Sequence, residues 1–240
     1  MRRISIASND HVFVLTGAGI SAESGLPTFR ASDGLWAGNR VEDVCTPEAW
    51  ELNPWRVWEF YAARRAAGAK AEPNPAHTAL AELERQLGDR FFLCTQNVDD
   101  LHERAGSKRL VHMHGELSKA HCERDCGRPP VEDRAIYRSL DEVGRCACGG
   151  RLRPHIVFFG EIPLEMDRIQ EEIQKATLMV VVGTSGAVYP AANFVHWARL
   201  GGARTVYVGP EPPLNASAFT HVVEGKAGEV LPGLFAVERS

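Results

Sequence analysis

Residues 17–30, GAGISAESGLPTFR, constrain this chain more than any other stretch. They follow the apolar run Val12-Phe13-Val14-Leu15, which suits a buried strand. A strand, a tight glycine turn and a polar helix start form the usual cradle of a nucleotide phosphate. Glycines let the backbone approach the phosphate, and N–H groups at a helix N-terminus point at its charge. A bare GxG after a strand also serves packing alone, and the two glycines do not choose between these readings. Ser21, Ser24, Gly25, Pro27, Phe29 and Arg30 set this loop apart. They place polar, turn-forming and cationic groups where a plain helix would continue.

The remaining chain alternates between strand and helix. Val12–Thr16 is the first strand, and residues 31–40 are loop-like. Thr46-Pro47-Glu48 reads as a helix start with proline at its first position, and Asn53-Pro54 caps a second helix carrying Trp55, Trp58, Phe60 and Tyr61. An amphipathic helix is expected over 75–88, then a buried strand over Phe91–Thr95 and a short strand over 110–113. After a break the alternation resumes with a strand over 154–159, a helix over Met166–Lys175, a strand over Leu178–Val182, a helix over Ala191–Leu200 and a strand over 205–208, followed by a loop and a final helix. Near-continuous apolar strands separated by helices imply an α/β fold with a parallel, doubly wound sheet. Ligands of such sheets sit beyond the C-terminal strand ends, and three of those ends carry polar loops: 16–21, 95–102 and 183–186.

The break, from 118 to 154, differs in composition. It holds Cys122, Cys126, Cys146 and Cys148, several charges and Pro129-Pro130, and it is too polar to bury a core of its own. It reads as an inserted module that needs a staple. No secretory segment follows Met1-Arg2-Arg3, so a cytoplasmic protein is expected, in which clustered thiols hold a metal more often than they form disulfides. With 240 residues there is room for one large domain plus a small insert, and no apolar run spans a bilayer. A net charge of −4 argues against nucleic-acid binding by bulk electrostatics.

Five segments stand together: GAGISAESGLPTFR, TQNVDDLHERAG, His114-Gly115, PHIVFFGE and GTSGAVYPA. In order and spacing they resemble the sirtuin family, the NAD-dependent protein lysine deacylases. The resemblance spans residues 10 to 235 and is particularly strong to bacterial proteins of the desuccinylase-like branch. It implies an inverted Rossmann-type parallel sheet domain (1–37, 76–117 and 155–240), a helical insert (38–75) and a small zinc-binding module (118–154). NAD and an acylated lysine of a protein substrate would enter the cleft from opposite sides. A monomer is expected, with no membrane and no direct nucleic-acid partner.

The resemblance also assigns residues. Gly17, Ala18, Gly19 and Ser21 would line the diphosphate and nicotinamide-ribose region, Arg30 would lie near the phosphates, and Ile20, Glu23, Thr28 and Trp36 would complete that wall. Gly183, Thr184 and Ser185 would meet the adenosine side, with Gly209, Pro210 and Glu211, while Ala227 belongs to the loop that closes over adenine. Gln96, Asn97, Val98 and Asp99 would hold the nicotinamide ribose and carboxamide, which needs both donors and acceptors. Asp99 or Asp100 could instead cap the following helix. Phe29 would cover the reactive ribose face. His114 is the expected general base, since imidazole titrates near neutrality. His112 is a competitor on the same side of an extended strand, and is expected to be structural because the family's base immediately precedes glycine.

On the substrate side, Val157, Phe158, Phe159, Gly160 and Glu161 match the segment that pairs with substrate backbone. Tyr61 and Arg64 share a helix face, and a Tyr and an Arg at this spacing recognise the distal carboxylate of a succinyl or malonyl group in the desuccinylase-like branch. The alternative is a solvated basic helix, since Arg65 is adjacent. Cys122, Cys126, Cys146 and Cys148 would make a four-thiolate zinc site, although both pairs depart from the usual CxxC and the CxC pair needs a turn at Gly149-Gly150. His121 is a candidate substitute ligand. Gly209 stands where many relatives have an asparagine that contacts the adenine ribose, so weaker or backbone-mediated cofactor binding is expected. Competing functions are an NAD-consuming ADP-ribosyltransferase or NADase, and a non-catalytic NAD-binding module. A hydride-transfer enzyme fits least, since a Trp-rich helical region replaces the acidic residue that would close the next strand.

Overall fold

The apolar runs form a six-stranded, all-parallel sheet in the order Leu110–His112, Phe91–Thr95, Val12–Thr16, Leu178–Val182, Arg204–Gly209, His221–Glu224. The computed structural model describes residues 3–30 and 35–238, with Phe29, Arg30 and Leu35 described as backbone only. In chain order the strands lie third, second, first, fourth, fifth and sixth, which is the Rossmann arrangement. That order reverses between Val12–Thr16 and Leu178–Val182, whose registers run from Val12 beside Leu178 to Thr16 beside Val182. Loops leaving two such strands part to opposite faces and open a crevice.

Side-chain alternation along the strands fills both faces. Val12, Val14, Leu93, Val180 and Val206 pack against the helices Pro75–Leu87 and Ala227–Leu234 through Leu80, Leu83 and Leu231. Phe13, Leu15, Phe92, Met179 and Val181 pack against Met166–Lys175 and Ala191–Leu200 through Ile169, Ile173 and Phe194. The chain ends clasp each other, since Ile4–Ile6 pairs in parallel with Phe235–Val237. That last strand was not expected; three residues after a helix are too few to show a period.

Three of the expected helix starts carry a side-chain cap. Thr46 accepts from the Ala49 N–H ahead of Pro47–Leu52, and Asn53 accepts from the Arg56 N–H ahead of Pro54–Lys70. Asn74 accepts from the Ala76 N–H ahead of Pro75–Leu87, and its own N–H donates to His77 in return.

The segment expected as a strand over 154–159 is placed differently. The strand is Leu152–Ile156, and it does not extend the parallel sheet. It pairs antiparallel with Gly115–Cys122, Arg153 opposite His121, in a three-stranded sheet completed by Val131–Glu132. This small sheet therefore draws strands from both sides of the polar module. Its apolar side is covered from outside, by Trp50, Trp58, Tyr61 and Phe158 of the helical segment and neighbouring loop packed with Ala120 and Ile156. The local sequence shows the module's poverty of apolar residues but not that borrowed cover.

Arg65 fastens module to helix. It is 6% exposed, and its guanidinium donates to the carbonyls of Leu117 (2.7 Å), Ala135 (2.8 Å) and Lys119 (3.2 Å) while pairing with Asp133 at 3.2 Å. The alternative of a solvated basic helix is thus excluded at this position. Removing one partner of a buried pair strands the other. Arg65→Ala is expected to lower unfolding free energy by about 3–5 kcal/mol in urea titration, and Arg65→Lys to recover only a small part, because an ammonium cannot reproduce the planar fork.

Candidate active site

A cavity of about 830 Å³ opens at the switch point. One end is bounded by Gly183, Thr184, Ser185, Tyr207, Pro210 and Glu211; the middle by Gly17, Ala18, Gly19, Ser21, Thr28, Gln96, Asn97, Val98, Asp99 and His114; the far end by Trp36, Cys45, Arg64 and residues 157–161. Among the described residues, Ile20, Glu23, Tyr61, Gly209 and Ala227 do not line it. Ile20 is core, and the Glu23 carboxylate accepts from the Gly228 N–H at 2.8 Å, tying the first loop to the last helix. The roles expected of the Phe29 and Arg30 side chains lie outside what is described; their backbone forms a short strand paired with Leu35–Trp36.

The two glycine loops meet backbone to backbone. The Gly19 N–H donates to the Gly183 carbonyl at 2.9 Å, and a Cβ on Gly19 would lie 2.7 Å from the Gly183 Cα. Gly183 itself has φ +62°. Glycine is therefore required here for packing, and the same contact brings two loops with free polar backbone to one edge of the cleft.

Behind this edge is a buried polar network. Asn97 Nδ2 donates to Ser21 Oγ at 3.1 Å, and Ser21 Oγ donates to Asp99 Oδ2 at 3.2 Å. Asp99 Oδ1 accepts from the Leu101 N–H at 3.2 Å. Asp99, not Asp100, is thus both cavity wall and helix cap, while Asp100 pairs with Arg134 and Arg104. Burial raises the Asp99 pKa against the pull of those two hydrogen bonds. Thr95 Oγ1 accepts from the Asn97 N–H (3.0 Å) and from Thr16 Oγ1 (2.8 Å), and Thr16 Oγ1 meets His102 Nε2 at 3.0 Å. His77 Nδ1 accepts from the Asn74 N–H, so its Nε2 carries the proton and faces Ser21 Oγ at 3.5 Å. Burial holds His77 at about 4 and His102 well below its ordinary value, leaving both neutral. Thr16, Thr95, His77 and His102 were not singled out from the sequence. Only His77 carried a signal, three residues after the Asn74 cap.

The two candidate histidines separate by their partners. His112 Nδ1 faces the Asn97 carbonyl at 2.8 Å and its Nε2 faces Glu103 Oε1 at 2.7 Å. A carbonyl and a carboxylate both accept, an arrangement that favours the doubly protonated ring. Burial works against that charge, but Glu103 and the carbonyl outweigh it and raise the pKa. His114 Nδ1 faces the Gln96 carbonyl at 3.2 Å, which leaves the Nε2 lone pair available, and burial lowers its pKa against the carbonyl's pull. A neutral imidazole lining the cavity can take a proton; a doubly donating imidazolium outside it cannot.

At the far end, Arg64 is mostly out of water. Its guanidinium stacks over Trp36 (4.3 Å) and Phe60 (4.0 Å), its Nε has no hydrogen-bond partner, and no carboxylate among the described residues pairs with it. Burial lowers its pKa to about 10, still cationic at neutral pH. The neighbouring Tyr61 is fully buried, and its hydroxyl donates to Cys45 Sγ at 3.1 Å. Residues 157–161 are not a strand. The N–H groups of Val157, Phe158 and Phe159 donate to the His114 carbonyl, the Glu161 carboxylate and the Cys45 carbonyl, and Glu161 is clamped by Arg153 at 2.7 and 2.8 Å.

Away from the cavity, the four module thiols come together, all sulfurs lying within 4.8 Å of one another. Cys122 and Cys148 are 3.4 Å apart, and Cys126 and Cys146 are 3.6 Å apart. Sulfurs on a tetrahedral zinc at Zn–S ~2.3 Å stand ~3.8 Å apart, so the donor set fits that ion. The unusual CxC spacing is accommodated by a turn in which the Gly149 N–H donates to the Cys146 carbonyl and Gly149 takes φ +83°. His121 is not a fifth member; its Nδ1 faces His155 Nδ1 at 3.3 Å.

A Rossmann-ordered sheet with a glycine-edged cleft at its switch point, a neutral histidine inside it and a four-thiolate module beside it defines an NAD-using enzyme of inverted Rossmann type. The Sir2 family model matches residues 17–190, and the chain belongs to that family. It is 51% identical over 226 residues to a Salmonella typhimurium protein named NAD-dependent protein deacylase, covering 93% of this chain and 82% of the other. It is 51% identical over 224 residues to a Caulobacter vibrioides protein of the same name, covering 92% and 93%. A solved Sir2 homologue in complex with NAD superposes with a TM-score of 0.84 at 40% identity, over 94% of this chain and 88% of that one.

None of the four thiols lines the cavity, so a zinc they hold would be structural. Metal analysis of the purified protein is expected to give one zinc per chain. Stripping it, or Cys148→Ser, is expected to lower Tm by about 2–4 °C for each kcal/mol of lost staple energy, with the loss reversed by added zinc in the unsubstituted chain.

Proposed function

We propose that this NAD-dependent protein deacylase removes malonyl and succinyl groups from protein lysines, as well as acetyl groups. The observation that carries the acidic-acyl part is Arg64, a cavity-lining, half-buried cation paired with no carboxylate among the described residues. A buried charge without a partner is costly, and a ligand carboxylate that reaches it offsets that cost with a planar, two-pronged ion pair. Tyr61 lies alongside; its hydroxyl, held by Cys45, would turn to such a carboxylate only by giving up the sulfur. The substrate peptide would lie across 157–161, where Phe159 and Gly160 are exposed.

The cavity's residues suit the chemistry of the family. When bound, NAD would supply the ribose carbon that accepts the acyl-lysine oxygen as nicotinamide leaves, giving free lysine and 2′-O-acyl-ADP-ribose after hydrolysis. Asn97 and Asp99 would hold the carboxamide, and His114 Nε2 would take the proton of a ribose hydroxyl. Retention of His114, Asn97 and an acyl pocket together favours this over ADP-ribosyl transfer or mere NAD binding. No helix among the described residues is long and apolar enough to cross a membrane, and a cytoplasmic, monomeric enzyme acting on proteins without nucleic acid belongs to the same proposal.

Two experiments test it. With matched acetyl-, malonyl- and succinyl-lysine peptides, Arg64→Met is expected to cut kcat/KM for the acidic groups by about 30- to 1,000-fold while deacetylation stays within a few-fold. Equal loss on all three peptides would remove the acidic-acyl reading. For the base, neutral His114 is the active form and burial lowers its pKa. The kcat/KM is therefore expected to be level at pH 7–8 and to fall with acid through a midpoint below about 6.5. His114→Ala is expected to lose about 10²–10⁴ of the rate with NAD binding retained.

A further inference from the structure

The strand Arg204–Gly209 ends at the adenosine end of the cavity, and its last two same-face residues, Tyr207 and Gly209, are sterically coupled. Tyr207 lines the cavity, yet it is only 3% exposed, with its ring against Phe219 at 5.5 Å between centroids. Its hydroxyl donates to the Thr184 carbonyl at 3.1 Å. A Cβ added at Gly209 would fall 2.3 Å from that hydroxyl oxygen and 2.7 Å from the ring carbon bearing it. With Tyr207 in place, no side chain fits at 209. Gly209 is therefore not a simple deletion of the asparagine expected from the family; the space is taken by a ring two residues earlier on the same strand face.

The loop after Leu178–Val182 is pinned residue by residue. Gly183 N–H donates to the Val208 carbonyl at 2.9 Å, Tyr207 holds the Thr184 carbonyl, and the Ser185 carbonyl accepts from the Leu214 N–H at 3.0 Å. The first and third of these are backbone to backbone. The Tyr207 hydroxyl is the one side-chain contact of the three. Glycine at 183 and 186 (φ +62° and +70°) leaves the loop's conformation dependent on such outside contacts.

We propose that Tyr207 is the positioning residue for the adenosine half of NAD in this chain, fixing the Thr184 carbonyl and the 183–186 loop in the binding conformation, and that Gly209 is its obligate companion. The ring takes over an end of the site that the expected asparagine would have served directly. Affinity for the cofactor is then set by loop order and the ring, not lost with the amide.

Tyr207→Phe removes one oxygen and keeps the packing. Calorimetric titration of the whole protein with ADP-ribose is expected to show Kd raised about five- to tenfold, the fold-change of one lost hydrogen bond. The KM for NAD should rise by the same factor, while kcat and the KM for an acyl-lysine peptide stay within twofold. Gly209→Asn alone should weaken ADP-ribose binding more than tenfold, and Tyr207→Val with Gly209→Asn should bind more tightly than Gly209→Asn alone, since the ring is gone. An unchanged ADP-ribose Kd in Tyr207→Phe, with or without a lower Tm, would reduce Tyr207 to a core aromatic and overturn the proposal. So would a Gly209→Asn protein that binds as tightly as the unsubstituted chain.

Discussion

The backbone contact between the loop at Gly17–Gly19 and the loop at Gly183 holds the rest of the structure in place. It sits where the strand order reverses, the one position in a doubly wound sheet at which two neighbouring loops are sent to opposite faces. Closing these loops to 2.9 Å removes every Cβ from the contact and fixes one edge of the cleft. Everything else that lines the cavity is placed relative to that edge. The polar network of Asn97, Ser21 and Asp99 leans on it from the first strand's side, and the Tyr207 hydroxyl braces it from the other.

Charge is handled in the cleft by separation. Two histidines two residues apart are shifted in opposite directions, because one is given two acceptors and the other only one. Two arginines adjacent on one helix take opposite roles. Arg65 is saturated by three carbonyls and a carboxylate, whereas Arg64 has aromatic faces and no anion among the described residues. In each pair the saturated member holds the framework and the unsaturated one faces the cavity.

This explains how much was legible in the sequence. Continuous apolar runs such as LMVVV and FFLCT announced their strands, proline-bearing caps announced two helices and an amphipathic pattern a third. The glycine loops, His114 and the four cysteines could be read from residue type and order, helped by the family resemblance. What could not be read is set by tertiary neighbours. FYAARR gives no local sign that Arg65 leaves water while Arg64 stacks on aromatic rings. The Leu152–Ile156 strand, LRPHI, carries no period that assigns it to a sheet, and only its partner decides. His77 and His102 look like ordinary polar positions of helices until their rings are found 4.8 Å apart behind Ser21. Gly209 reads as a missing side chain until the Tyr207 ring is seen occupying the space.

The pairing of Ile4–Ile6 with Phe235–Val237 has a bearing on how the molecule is made. The helix preceding that last strand supplies Val230, Leu231 and Leu234 to the core shared with the first strand of the sheet, and Gly228 takes hold of Glu23 beside the glycine loop. A nascent chain therefore lacks one of the two helices that cover this face of the sheet until residues 227–234 have left the ribosome. The sheet is built almost wholly from contacts distant in sequence, a topology that folds slowly and leaves apolar strands uncovered in the interval. During synthesis, the stretch at greatest risk of straying is thus the first strand of the parallel sheet, Val12–Thr16, which waits for Leu178–Val182 before its second edge is paired.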